Sequence, residues 1–259
     1  MKYRKHIVAL LVTLLFFCST LTVIAEEEQS LGRAYVKVES SLNLREGPAT
    51  SFVSLSKLKP GDLVDVLEVL QNGWARVRTE TGEEGYVSGE YIVIPDIDTS
   101  QYELISVAVI TSKNSSEDRN FNMSRACEAI NGMILDTGEE FNWYGDKKRG
   151  IDAVVGPASE ENGYKKANII LNGKYVKGFG GGVCQVSTAV YNCIYKIGIE
   201  PTEHHNHSKA SSYVEKGMDA TVAYPNKNFV FINTCEYPIM FEAYTDEGQV
   251  VIVAYKALQ

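Results

Sequence analysis

The sequence predicts a small all-β barrel followed by a larger α+β domain, and three observations carry that expectation. Residues 33–94 break into short runs of alternating apolar and polar side chains, punctuated by turn dipeptides. Residues 102–259 mix β-branched runs with stretches whose apolar residues recur at helical spacing. Between them lies the polar stretch Pro95-Asp96-Ile97-Asp98-Thr99-Ser100, opened by a proline that ends the last strand.

The first residues precede the barrel. Lys2, Arg4 and Lys5 form a basic region, Ile7 to Ile24 is apolar and uncharged, and Val23-Ile24-Ala25 before Glu26 fits a signal-peptidase site. Residues 1–25 are therefore expected to be a signal peptide. If uncleaved, residues 7–24 are nearly long enough to anchor the chain in a membrane. Cys18 is a poor lipoprotein cysteine, because Phe16 and Phe17 stand where small residues are needed. Either way, the rest of the chain is expected outside the cytoplasm, in the cell wall or the extracellular space.

In the barrel, Tyr35–Val38, Leu42–Arg45, Leu63–Leu67, Trp74–Val77 and Gly85–Val87 read as strands, separated by Gly47-Pro48, Pro60-Gly61, Asn72-Gly73 and Thr81-Gly82. Residues 33–95 make this domain and 96–101 a linker, so a chain beginning near Thr99 is expected to fold by itself. In the second domain, residues 102–259, Leu104–Ile110 reads as a strand. Asn122 can cap a short helix carrying Met123, Ala126, Cys127 and Ile130, with Gly132 as its stop. Asn172-Gly173 signals a hairpin between Ala167–Leu171 and Lys174–Val176. Gln185–Ile197 is a helix stopped by Gly198, followed by strands near Ala220–Tyr224, Phe229–Asn233, Ile239–Thr245 and Gln249–Tyr255.

Charge excludes one class of partner. The chain has 25 basic and 33 acidic residues; without the three basic residues of the signal segment, 22 basic remain, a net charge of −11. Phosphate binding needs clustered Lys and Arg, so no nucleic acid is expected. Four cysteines remain outside the signal segment, Cys127, Cys184, Cys193 and Cys235, too few for a disulfide scaffold in so long a chain. Nine residues along one helix turn through about 900°, so Cys184 and Cys193 face opposite ways and cannot bridge each other. Cys193 is expected in the core; a Cys127–Cys235 disulfide stays open.

The chemistry concentrates at Gly180-Gly181-Gly182-Val183-Cys184-Gln185. Three glycines allow positive φ and close approach of a ligand. Cys184 then meets a helix N-terminus, whose N–H groups and dipole favour a thiolate and could hold an oxyanion. The Lys-Ser/Thr of a phosphate-binding P-loop is missing. Apart from His6, the histidines are His204, His205 and His207, placed where one helix out and a turn back returns them to Cys184. In an extended stretch His205 and His207 share a face and His204 points away, and Asp219 can orient an imidazole as in a triad. A zinc site of Cys184 and two histidines lacks the paired spacings zinc sites use, so neither metal nor other cofactor is expected.

Two stretches resemble known families. Leu42-Asn43-Leu44-Arg45, Gly47-Pro48, Gly73-Trp74 and Gly85-Tyr86-Val87 resemble the bacterial SH3-like domain of cell-wall proteins, which implies peptidoglycan binding or a spacer. Residues 119–255 resemble the VanW domain, named for a protein found with some vancomycin-resistance operons. The matching pieces include Arg119-Asn120-Phe121-Asn122, Gly138-Glu139-Glu140-Phe141-Asn142-Trp143, Gly180 to Thr188, His207-Ser208, Tyr213 and Gly217 to Val222. Thr137 and His204 depart from the pattern, standing where proline and arginine are common.

Some members of that family are associated with L,D-transpeptidase activity. The resemblance therefore implies Cys184 as nucleophile, His207 or His205 as base, Asp219 as orienter, and Gly181, Gly182, Gln185, Ser187 and Tyr213 as substrate or oxyanion contacts. Of the two histidines, His207 is favoured by its Ser208 neighbour and its nearness to Asp219. The implied partner is a peptidoglycan stem peptide, with a membrane only if the signal segment is uncleaved. Two alternatives stand beside the transferase: a cysteine endopeptidase of the wall, and a non-catalytic wall- or glycopeptide-binding protein.

Overall fold

A computed structural model describes residues 29–112, 115–171, 174–208 and 211–258. The expected signal segment, with His6 and Cys18, lies outside the described residues.

The N-terminal domain is an antiparallel sheet of β1 (Gly32–Val36), β2 (Leu42–Arg45), β3 (Ser54–Leu58), β4 (Leu63–Val69), β5 (Trp74–Thr79), β6 (Glu84–Ser88) and β7 (Ile92–Val93). The strand order is β3-β2-β6-β5-β4-β1-β7. Alternation sends Ala34, Val36, Leu42, Leu44, Val64, Val66, Ala75, Val77 and Val87 into one core. Strand β3 was not legible in the sequence. Of its five residues Leu58 alone is buried, and with only β2 beside it the strand carries no alternation to read.

The second domain begins with β8 (Tyr102–Thr111) and α1 (Glu117–Ile130). Short strands β9 (Ile134–Leu135) and β10 (Glu140–Asn142) follow, then the hairpin β11 (Lys166–Leu171) and β12 (Lys174–Phe179). Helix α2 (Val183–Lys196) leads to β13 (Pro201–Glu203), β14 (Val230–Ile232), β15 (Ile239–Asp246) and β16 (Gln249–Ala257). A four-stranded antiparallel sheet runs β8-β16-β15-β9, and a smaller one runs β10-β14-β13. Helix α2 lies on β8 and β16 and α1 on β15. The core between helices and sheet takes Met123, Ile130, Val186, Val190 and Ile194 from the helices and Ile110, Phe241, Val250 and Ile252 from the strands. Phe141 stacks on Phe231 at 4.7 Å, seating the small sheet on that core.

Two expectations change here. The N-cap of α1 is Ser116, whose hydroxyl accepts from the Arg119 N–H at 3.3 Å; Asn122 is a turn and a half inside the helix and fully buried. And Ala220–Tyr224 is not a strand. Its backbone is held by side chains of α2 and by His205 instead of by a ladder, with one isolated bridge between Ala223 and Lys227.

The opposite face of the large sheet is not free. Val107, Val109, Val251, Val253 and Tyr255 point away from the helices and pack with Tyr35 and Leu63 of the barrel. Ile97, in the stretch expected to be a linker, joins the same cluster. Polar contacts rim it: Tyr35 and Tyr244 share a hydroxyl–hydroxyl hydrogen bond, Lys37 pairs with Asp246, and Gln249 Nε2 donates to Val38 O. Lys196, at the far end of α2 from Cys184, donates to Gly61 O at 3.0 Å and Val107 O at 2.8 Å. The barrel is thus a third layer over the sheet. That geometry bears on the expectation that residues from Thr99 onward fold alone, because β16 is buried on both of its faces and the barrel covers one of them.

Candidate active site

Helix α2 begins where the chain leaves β12 and turns through Gly180-Gly181-Gly182. Gly182 is the N-cap at φ +112°, in the left-handed region that side chains avoid. The glycines admit close approach, but of the protein itself. A Cβ on Gly181 would lie 2.6 Å from Asn168 O, and one on Gly182 would lie 2.9 Å from Arg119 Cγ. Asn122, mid-helix in α1, binds this turn: its amide nitrogen donates to Lys165 O and Gly181 O at 3.0 Å each, and its oxygen accepts from Lys165 N at 2.8 Å.

Cys184 is the second residue of α2 and is partly exposed. Its thiol donates to Val222 O at 3.4 Å. Burial pushes the Cys184 thiol up; the Val222 backbone and the charges of Arg119 and Lys227 draw it down without overcoming burial, and Asp219 adds to the rise. This differs from the sequence expectation of a favoured thiolate, since a helix terminus stabilises charge only as far as the surroundings are polar. The Val183 and Gln185 N–H groups are engaged by Gly180 O and Gly182 O, so neither is an open oxyanion donor.

Residues 218–221 run beside the start of α2 and are stitched to it. Ser187 Oγ donates to Ala220 O at 2.7 Å, Thr188 Oγ1 donates to Cys184 O at 2.7 Å and accepts from Ala220 N at 3.0 Å, and Asn192 donates to Met218 O at 2.8 Å. These bonds fix Asp219. Its carboxylate accepts from the His207 N–H at 2.6 Å, from His207 Nδ1 at 2.7 Å and from Asn206 Nδ2 at 3.2 Å. Burial would raise the Asp219 carboxyl, but those hydrogen bonds and the imidazole outweigh it and hold the group below the usual carboxylate range. With Nδ1 donating to Asp219, a neutral His207 keeps the lone pair on Nε2.

The three histidines divide differently from the extended-strand expectation. His204 and His207 both meet Asp219, His204 through a 2.8 Å bond from Nε2 to the main-chain oxygen while it stacks on Tyr191. His205 bonds Glu203 at 2.9 Å. Residues 204–207 form no strand, so alternation does not govern which ring faces which way.

Among the expected substrate contacts, Gln185 and Ser187 are fully buried. Gln185 accepts from Arg119 Nη2 at 3.0 Å and donates to Ile110 O at 2.9 Å, so both residues hold the framework together from inside. Tyr213 does stand near the thiol. Burial first, then the Cys184 charge, raise its hydroxyl, while Thr188 and Arg119 lower it. Tyr144 shares that neighbourhood and is raised by burial and by Cys184. Neither Arg119 nor Tyr144 was given a role from the sequence, where Arg119 appeared only within a quoted motif. Among the described residues Cys127, Cys184, Cys193 and Cys235 are all free, so the open Cys127–Cys235 pairing is not made.

Comparison with known proteins places this arrangement. A family model described as VanW like protein matches residues 118–255, more than half of the chain. The chain belongs to the VanW-like family. A second model, described as a bacterial SH3 domain, matches residues 40–93, the β2–β7 portion of the barrel. The chain is similar to the uncharacterized protein YoaR of Bacillus subtilis (strain 168), 31% identical over 173 residues, covering 65% of this chain and 54% of that protein. It is also similar to the vancomycin B-type resistance protein VanW of Enterococcus faecalis (strain ATCC 700802 / V583), 26% identical over 112 residues, covering 41% of this chain and 38% of that protein. The chain thus spans about half the length, or less, of the relatives it matches. The VanW-like match takes in the glycine turn, Cys184, the histidines and Asp219 together.

Proposed function

We propose that this VanW-like domain is a cell-wall acyltransferase, an L,D-transpeptidase that works through a Cys184 thioester. The single observation that carries this is a thiol at the start of α2 within electrostatic reach of Asp219, which is bonded to His207 and lies in a segment stitched to the first turns of the same helix. The bacterial SH3 domain and a relative named for vancomycin resistance support the cell wall as the place of action.

In this reading Cys184 Sγ loses its proton to His207 Nε2 and attacks the carbonyl carbon of diaminopimelate in a tetrapeptide stem. The tetrahedral intermediate collapses with loss of D-alanine, whose nitrogen takes the proton back from His207, and a thioester remains on Cys184. An amine from a neighbouring stem attacks the thioester, passes a proton to His207, and leaves as a 3-3 cross-linked product while Cys184 is restored. Asp219 keeps the His207 ring oriented and stabilises its cationic form between the two transfers.

Incubation of the purified protein with disaccharide-tetrapeptide, followed by mass spectrometry, tests the reading. The expected product is a cross-linked dimer with release of D-alanine. Release of D-alanine with tripeptide alone assigns water as the acceptor and makes the protein a hydrolase. Unchanged substrate with measurable binding favours the wall-binding alternative.

A further inference from the structure

Helix α1 delivers one side chain to both flanks of Cys184. The Arg119 stem covers Gly182, with its Cγ 2.9 Å from where a Cβ on that glycine would fall, and its Nη2 donates to Gln185 Oε1 at 3.0 Å. Residues 182 and 185 bracket the thiol, so the guanidinium stands against the same turn of α2.

That position is an unfavourable one for a cation. Arg119 Nε is buried without a hydrogen-bond partner, and the one described bond of the guanidinium goes to a neutral amide; among the described residues no carboxylate pairs with it. The N-terminal end of α2 carries the positive end of the helix dipole, and its first turn holds no acidic residue and no side-chain cap. A permanently charged guanidinium that is partly withdrawn from water with no carboxylate beside it is poorly compensated, and an anion next to it would relieve that. The charged and titratable groups around Cys184 are Arg119 from α1, Asp219 and Lys227 from the segment beside α2, and Tyr144 and Tyr213 from the flanking loops; Tyr175 of β12 faces Arg119. Asp219 is already held by His207 and Asn206. The remaining group here that loses a proton in the proposed chemistry is the Cys184 sulfur.

We propose that Arg119 is a positioning residue for Cys184, its guanidinium serving as the counter-charge that stabilises the sulfur once the thiol has lost its proton. This role rests on Cys184 being the nucleophile, and it can be tested on the thiol itself without peptidoglycan. The thiol proton leaves to His207 during acyl transfer and to solvent during simple alkylation; in both, Arg119 keeps its own protons.

Alkylation of Cys184 by neutral iodoacetamide and by anionic iodoacetate is measured by mass spectrometry of the digested protein, in the parent, Arg119→Gln, Arg119→Lys and Lys227→Gln. An opposite charge close to a thiol lowers its pKa by about 1–3 units, so at a fixed pH below the midpoint Arg119→Gln is expected to slow iodoacetamide about tenfold or more. It should slow iodoacetate further still, and Arg119→Lys should recover most of both rates. Parent rates in a folded Arg119→Gln protein, or a loss found in Lys227→Gln and absent from Arg119→Gln, would overturn the assignment. Should Arg119→Gln fail to fold, the parent decides: an iodoacetate-to-iodoacetamide ratio at Cys184 no higher than that of glutathione overturns it equally. A protein that shows this alkylation pattern yet leaves disaccharide-tetrapeptide unchanged keeps Arg119 as counter-ion and loses the transpeptidase reading.

Discussion

At the residue scale, Asp219 sets one of the three histidines apart. One carboxylate holds both the backbone and the ring of His207, while His205 is drawn to Glu203 and His204 to a main-chain oxygen. His207→Ala is therefore expected to slow acylation of Cys184 by about two orders of magnitude or more, the range of general acid–base assistance. His205→Ala should have a much smaller effect. Cys184→Ala should abolish acyl transfer while leaving the melting temperature nearly unchanged, because the side chain lies at the edge of the core and its one described bond is a weak thiol contact. Single-turnover rates and thermal melts of the three variants check this. Loss confined to His205→Ala would exchange the two histidines, and a large fall in stability of Cys184→Ala would make the thiol structural. The preference for His207 could be formed from the chain because His207 lies nearer in sequence to Asp219. The assignment of His205 to Glu203 could not, because it depends on Asn228, which donates its backbone N–H to the same carboxylate from 25 residues away.

At the element scale, the start of α2 is held by two partners from α1, Asn122 and Arg119, one on each side of the glycine turn. Asn122 sits where its sequence context suggested a cap, yet a second polar residue, Ser116, already caps the helix. The buried amide instead bonds three backbone groups of two neighbouring segments, Lys165 before β11 and Gly181 before α2, which a helix interior accepts only when every bond is made. Asn122→Ala should take this partner from Lys165 N and Gly181 O, while Lys165 O keeps the Gly180 N–H, and destabilise the domain by about 2–3 kcal/mol, given that each orphaned buried group costs about 1–3 kcal/mol. Urea unfolding measures it, and a change within about 0.5 kcal/mol, the usual range for uninvolved surface sites, would show that the turn does not depend on this clamp. The second helix itself was legible, since Val186, Ala189, Val190, Cys193 and Ile194 all fall on the buried face that their spacing implies. Its neighbour at residues 220–224 was not: apolar β-branched residues suggested a strand, and hydroxyls of α2 took the place of a pairing strand.

At the scale of the whole molecule, the barrel and the second domain share an apolar cluster. Removing residues 29–98 would leave Val107, Val109, Val251 and Val253 open to water, each worth about 1.5–3 kcal/mol when fully buried. It would also strip Lys196 of the Gly61 carbonyl that, with Val107 O, accepts from its ammonium, a group whose pKa is lowered by desolvation. A fragment beginning at Thr99 should therefore aggregate or melt far below the parent in size-exclusion and calorimetric runs. A monomeric fragment with the parent's melting temperature would show that the interface adds nothing to stability and that the barrel is a detachable module.

What the sequence determined by itself was local. Two-residue alternation, helical spacing, the glycine turn into α2 and the Cys184 position are properties of neighbouring residues, and steric rules acting over a few bonds are enough to set them. Tertiary structure decided the pairings. Arg119 reaches Gln185 across 66 positions, Asn122 reaches Gly181 across 59, and Tyr35 reaches Tyr244 across 209. Contacts so far apart along the chain follow from how helices, sheet and barrel stack, and no local pattern records them. The glycines illustrate the difference: their freedom was visible in the chain, but that Arg119 and Asn168 would fill the space beside them depended on where α1 and β11 come to rest.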